Sequence, residues 1–203
     1  MLDALKIVFR HPGWFIELSD EKVTFEEREI PSGFETIGDI VHMNFTKKAF
    51  PFRYVVGQVV LDKNPKIRSV ICKIGFIDNI YRVYNLECIA GEKGNYGTIH
   101  IEDKVRFNVD VSKVYWCSKL AFERNRMIWR YLQQVEVLCD MFCGIGALTV
   151  KSAVKQPGMR GVCNDLNPEA IKYCNMNIKL NKVTDRVVAF NMDAREFVRF
   201  YIA

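Results

Sequence analysis

No stretch reaches the ~18 consecutive apolar residues that a membrane-spanning helix takes, so no span is expected. CxxC spacing is also missing, although seven cysteines are present: Cys72, Cys88, Cys117, Cys139, Cys143, Cys163 and Cys174. An odd count without that spacing argues against a disulfide framework and a zinc site. It argues for reduced thiols buried in the apolar runs of an intracellular chain. Histidine is scarce, and His11, His42 and His100 form no motif with the cysteines, so no metal is expected. The N-terminus, MLDALKIVFRHPGWF, lacks a small-residue cleavage site and is not read as a signal peptide. Repeats, low-complexity tracts and coiled-coil patterns are absent, and a monomer is expected. Neither sign of charge dominates: a net +5 suits nucleic acid and plain solubility equally well.

What is present falls into two patterns. Residues 1–35 are mixed in character and end in Pro31, Ser32 and Gly33, a linker or domain edge. From Ile37 β signals take over. DIVHMNF alternates, and YVVGQVVLD (54–62), IRSVICKIG (67–75), parts of IYRVYNLECIAGE (80–92), GTIHI (97–101) and VRFNVDVSKVYW (105–116) read as strands. At Ser118, a plausible N-cap, the period changes. Leu120, Ala121, Met127, Ile128, Tyr131, Leu132 and Val135 line one helix face. Then come strand VEVLCD (135–140), helix ALTVKSAVK, strand MRGVCND (159–165), helix NPEAIKYCNMNIKLN (167–181) and strand RVVAFNMD (186–193). Asn167 and Pro168 supply an N-cap and first-turn proline, and Asn181 and Lys182 close the helix. This alternation implies an α/β, doubly wound, Rossmann-like sheet after a strand-rich α+β region. Three strands leave such a sheet incomplete at its C-terminus, so a fragment is expected, or else a minimal domain completed by a partner.

The stretch DMFCGIGALTV (140–150) outlines a strand, a Gly turn and a helix. Gly144 and Gly146 let a ligand approach the backbone. Asp140, Asp165 and Asp193 end successive strands, where ligands of such sheets bind. Asp165 follows the turn at the distance of a ribose-binding carboxylate. Thr149 stands where a dinucleotide fingerprint has its third glycine, which favours an adenosine cofactor without a pyrophosphate. S-adenosylmethionine leads that class, with Asp193 placed to reach the adenine amino group. The bland alternative for all three acids is helix capping and turn formation.

DMFCGIGALTV, NDLNPEAIKYCNMNIKLNKV and FNMDAREF, with GQVVLDKNPKIRSVICK, DNIYRVYNLECIAGE and VDVSKVYWCSKLAFERNRM upstream, resemble the tRNA guanine-N1 methyltransferases that modify the base beside the anticodon. The long GQVVLDKNPKIRSV block is similar to the eukaryotic–archaeal branch. The resemblance implies a remnant of an N-terminal domain (1–35), a middle α+β tRNA-positioning domain (36–115) and the first half of a class I methyltransferase domain (116–203). It implies S-adenosylmethionine as cofactor, tRNA as partner, and work in the cytoplasm, nucleus or mitochondrial matrix. Glu123 matches the family's general base, Arg82 the cation that steadies charge on the guanine oxygen, and Tyr115 a position near methyl donor and base. Phe142 and Leu166 join Asp140, Gly144, Gly146, Asp165 and Asp193 as implied cofactor contacts. The family's Asn-Leu-Pro motif after a fourth strand is not in this sequence. Lys104, Lys113, Lys119, Arg124, Arg126 and Arg130 could meet tRNA phosphates or form a solvated face. Two rival readings remain open. One is a wybutosine-pathway aminocarboxypropyl transferase using the same cofactor, and the other is a non-catalytic tRNA-binding remnant.

Overall fold

The computed structural model describes residues 31, 33–75, 77 and 79–201. Most of the linker read at 1–35 lies outside them. The chain forms two compact units. Of the described residues, the first comprises those up to Ile74 with Leu86–Asn95, and the second comprises those from Gly75 to Asn85 with those from Tyr96 onward. The sequence boundary at 115/116 cut the chain elsewhere. A strand hairpin counted there with the middle domain packs with the helices that follow it.

In the first unit, β1 (Glu35–Ile37), β2 (Ile40–Met43), β3 (Ser69–Lys73) and β4 (Leu86–Gly91) lie side by side in that order. β2 and β3 are parallel and the outer pairings antiparallel. The crossover between β2 and β3 carries helix α1 (Arg53–Lys63). This corrects the strand expected over 54–62. Its valines favour a strand locally, but Val56, Gly57 and Val60 all turn inward at helical spacing. Burial against the sheet outweighs that preference. Gly57 is needed there, since a Cβ would sit 2.8 Å from Ile89. Val41, Met43, Val56, Val60, Val70, Cys72, Ile89 and Ala90 form the core.

The second unit includes the loop 79–85. The hairpin of β5 (Gly97–Glu102) and β6 (Val105–Asp110) follows. Its turn residues, Asp103 and Lys104, both have positive φ (51° and 71°), the geometry that usually takes Asn-Gly. Side chains hold it. Lys151 Nζ and Asn125 Nδ2 donate to Asp103 Oδ2 at 2.6 and 2.7 Å, and Lys155 Nζ donates to the Asp103 carbonyl at 3.0 Å. β6 stops at Asp110 rather than running to 116. Asp110 folds the chain into a turn by accepting bonds from the Ser112 amide and hydroxyl.

Helix α2 (Ala121–Arg130) is shorter than the pattern over 118–135 predicted. Ser118 opens a 3-10 turn instead of capping, and its hydroxyl accepts the Trp116 indole N–H at 2.9 Å. The parallel sheet follows: β7 (Val137–Asp140), α3 (Ala147–Lys155), β8 (Arg160–Asn164), α4 (Pro168–Leu180), β9 (Val187–Phe190) and α5 (Ala194–Tyr201). Strand order is β7-β8-β9, all parallel. Asn167 caps α4 through the Glu169 amide at 3.0 Å, with Pro168 in its first turn, as the sequence predicted. Two asparagines one turn apart on α4 then imitate a strand. Asn177 and Asn181 each accept from and donate to the backbone of β6, at Asn108 and Arg106. They satisfy a hairpin edge that, among the described residues, no strand covers.

Candidate active site

Three loops meet at the carboxyl end of the parallel sheet: 141–146 after β7, 165–167 after β8 and 191–193 after β9. Asn164 and Asn191, which the sequence reading passed over, tie them together. Buried Asn164 donates to the carbonyls of Met141 (3.3 Å) and Met192 (3.0 Å) and accepts the Met192 amide. Asn191 donates to the carbonyls of Asp165 and Leu166. The only hint in the sequence was an asparagine shortly before two of the three strand-end acids, at Asn164–Asp165 and Asn191–Met192–Asp193.

Within the Gly turn, Gly144 (φ +55°) and Gly146 (φ +80°) occupy the left-handed region. They do different work. A Cβ on Gly144 would meet nothing within 4 Å, so its surface is open to a ligand. One on Gly146 would lie 2.7 Å from Cys174 Sγ, so that glycine serves the close approach of the turn to α4. The missing third glycine is also explained. Thr149 faces Gly161 of β8, where a Cβ would lie 2.4 Å from the threonine methyl. The close helix–strand contact is kept, with the glycine on the strand.

Asp165 braces the turn. Its Oδ2 accepts the Gly144 amide at 2.8 Å and its Oδ1 the Asn167 amide at 2.9 Å, leaving lone pairs on both oxygens. Asp140 is half-buried, at the end of β7. It accepts the Thr149 hydroxyl at 3.0 Å and the Phe142 amide at 3.3 Å, and burial pushes its carboxyl above the usual range. Asp193 starts α5, accepting the Arg195 amide at 2.8 Å. The Arg195 guanidinium holds its carboxyl low. Phe142 and Leu166 are apolar and exposed (74% and 46%) on the first two of these loops. Together, an open glycine, a carboxylate with free lone pairs and two uncovered apolar side chains fit an adenosine-bearing ligand.

Tyr115 lies close to this end of the sheet. The Lys113 carbonyl two residues before it accepts Asn167 Nδ2 at 3.0 Å. Its exposed ring sits 6.0 Å from Tyr84, which brings in the loop carrying Arg82. Arg82 is exposed, with φ +55°, in a turn closed by its amide on the Asn79 carbonyl. Glu123 stands in the first turn of α2, exposed and paired with Arg126, whose Nε lies 2.8 Å away. That hydrogen bond holds the carboxyl low.

Arg124 leaves the set of phosphate-binding candidates. Nearly buried, it donates two hydrogen bonds to Glu102 and stacks over Trp116. Arg126 is held by Glu123 and Tyr131, and Lys113 by Asp110. Two expected thiol placements also fail: Cys139 is exposed and Cys117 half-buried. Three others, Cys143, Cys163 and Cys174, gather beneath the Gly turn, a cluster that their wide spacing in sequence does not announce.

A family model described as "TRM5/TYW2 methyltransferase domain" matches residues 98–203, and one described as "TYW2 N-terminal domain" matches residues 17–94. Among curated proteins, a tRNA (guanine(37)-N(1))-methyltransferase of Xenopus tropicalis is 44% identical over 85% of the chain, and one of Coprinopsis cinerea is 41% identical over 83%. The chain spans only 34% and 36% of their lengths. Among solved structures, Trm5b from Pyrococcus abyssi superposes with a TM-score of 0.73 at 36% identity, over 83% of this chain and 50% of that one. The complex of aTrm5 and tRNALeu gives 0.73 at 27% identity, over 89% and 57%. Pyrococcus horikoshii TYW2 in complex with MeSAdo gives 0.67 at 27%, over 84% and 59%.

Proposed function

Because the chain belongs to the TRM5/TYW2 methyltransferase family, we propose that it takes part in methylating N1 of guanine 37 in tRNA. Single relatives that carry this name at 41% and 44% identity over more than four-fifths of the chain support the reading. The observation that carries it is the Gly144 opening beside Asp165. Gly144, Asp165, Phe142 and Leu166 would hold S-adenosylmethionine, which supplies a methyl group already activated on a sulfonium. Asp140 would brace the loop from below, and Asp193 would meet the adenine end while capping α5.

The protein's own chemistry is then positioning and proton handling. Guanine N1 carries a proton that must leave as the nitrogen attacks. Glu123 is the base, and the hydrogen bond from Arg126 keeps its carboxylate ionised until the proton arrives. Negative charge builds on the guanine carbonyl oxygen, which the Arg82 guanidinium neutralises. Tyr115, beside Tyr84, supplies an aromatic wall for the base. Lys104, Lys119 and Arg130 remain candidates for tRNA phosphates.

The test is methyl transfer from labelled S-adenosylmethionine to transcripts with guanine or adenine at position 37. It uses this chain and a longer one carrying the further length of its relatives. Label on the guanine transcript alone, cut ~100-fold or more by Glu123→Gln, is the expected result. A second reading, transfer of the aminocarboxypropyl group, draws support from the match of residues 17–94. Label placed on the cofactor's carboxyl carbon separates the two: its incorporation would replace the first reading with the second.

A further inference from the structure

The fold gathers three thiols into one buried cluster. Cys143 comes from the Gly turn, Cys163 from β8 and Cys174 from α4. Their Sγ atoms all lie within 4.8 Å of one another, and Cys163 and Cys174 are 3.7 Å apart. A pyramidal three-sulfur centre, the shape a trivalent ion with a lone pair takes, has sulfur bonds of about 2.3 Å and holds its sulfurs about 3.5 Å apart, so the cluster closes on one ion when the thiols rotate inward. Cys163 and Cys174 are fully buried and Cys143 is 6% exposed, beside the open surface of Gly144, which gives an entry.

We propose that these thiols form a binding site for a trivalent thiophilic metalloid of the arsenite class, held by three sulfurs and nothing else. Charge selects this class over a divalent or monovalent soft ion. Three thiolates exceed the charge of a zinc or copper(I) ion, and a buried net charge is costly. Asp140 and Asp165 flank the cluster and would oppose further negative charge. A trivalent centre cancels three thiolates and leaves a neutral complex. The ligand set is all sulfur, as soft ions prefer. Arsenous acid exchanges three hydroxyls for three thiolates, the three thiol protons leave in three waters, and no oxidation state changes. The site does not depend on the methyltransferase reading.

The test exposes the chain to arsenite, removes free ion by desalting and measures bound arsenic with its nearest neighbours by X-ray absorption. The expected result is one arsenic per chain with three sulfur neighbours and no oxygen. Cys143→Ala, Cys163→Ala and Cys174→Ala should each abolish the three-sulfur shell, and Cys117→Ala and Cys139→Ala should leave it intact. Circular dichroism checks that each variant is folded, and the shell in the unsubstituted chain is decisive if one is not. No retained arsenic or a two-sulfur, one-oxygen shell in the unsubstituted chain, or a three-sulfur shell kept by a folded Cys163→Ala variant, would overturn the site and leave the thiols as apolar packing.

Discussion

The two units solve burial in opposite ways. Among the described residues, the first buries two polar side chains, His42 and Ser69. The second buries eight: Glu102, Asp110, Thr149, Lys151, Ser152, Asn164, Asn167 and Asn177. In the first, sheet and α1 meet through valines, isoleucines and one glycine, and apolar contact suffices. In the second, charges and amides set where loops lie. Lys151 bridges Glu102 and Asp103, Asn177 and Asn181 pair with β6, and Asn164 links two strand-end loops. Apolar packing fixes a fold but tolerates sliding. Hydrogen bonds with direction fix atoms, which a site for positioned reactants requires.

Breaking the charge network should produce the largest effect. Burial pushes the Glu102 carboxyl up, but bonds from Arg124 and Lys151 outweigh it and leave it below its ordinary range. Glu102→Gln strands the fully buried Lys151 ammonium with Asp103 alone and should cost about 3–5 kcal/mol in urea unfolding. The sign with pH follows. The stability from this depressed carboxyl is present above its ordinary pKa and is lost as pH falls through the lower folded value. Glu102→Gln should therefore flatten the acid side of the stability profile.

Gly146→Ala is next. Its φ of +80° and the 2.7 Å approach to Cys174 should together cost about 2–3 kcal/mol, against about 1 kcal/mol for Gly144→Ala in open space. Asn177→Leu, which orphans backbone groups at Asn108 and Ile145, should cost about 1–3 kcal/mol. The smallest effect belongs to the first unit. Arg53→Met breaks the partly exposed pair with Glu87 and should cost under about 1 kcal/mol. An Arg53 loss equal to that of Glu102 would erase the contrast between the units.

The sequence was most readable where local and tertiary signals agreed. The β/α alternation from 135 onward, the Asn167–Pro168 start of α4 and the glycine turn need only period and capping chemistry. Helix α1 was misread because its valines favour strands locally, and only the sheet beneath them decides otherwise. Tertiary pairing also hid the rest. The Thr149 substitution makes sense only opposite Gly161, the Asp103–Lys104 turn only under Lys151, and the thiol cluster only once the fold brings residues 143, 163 and 174 together.

The central claim is that the Gly turn and Asp165 form a cofactor cradle within this chain. Calorimetric titration of S-adenosylmethionine into the folded chain and its Asp165→Asn variant tests it most directly. The account predicts one saturable site, weakened about tenfold, or roughly 1.4 kcal/mol, when the carboxylate loses its charge. Equal binding by both proteins, or no binding by the folded parent, would contradict it.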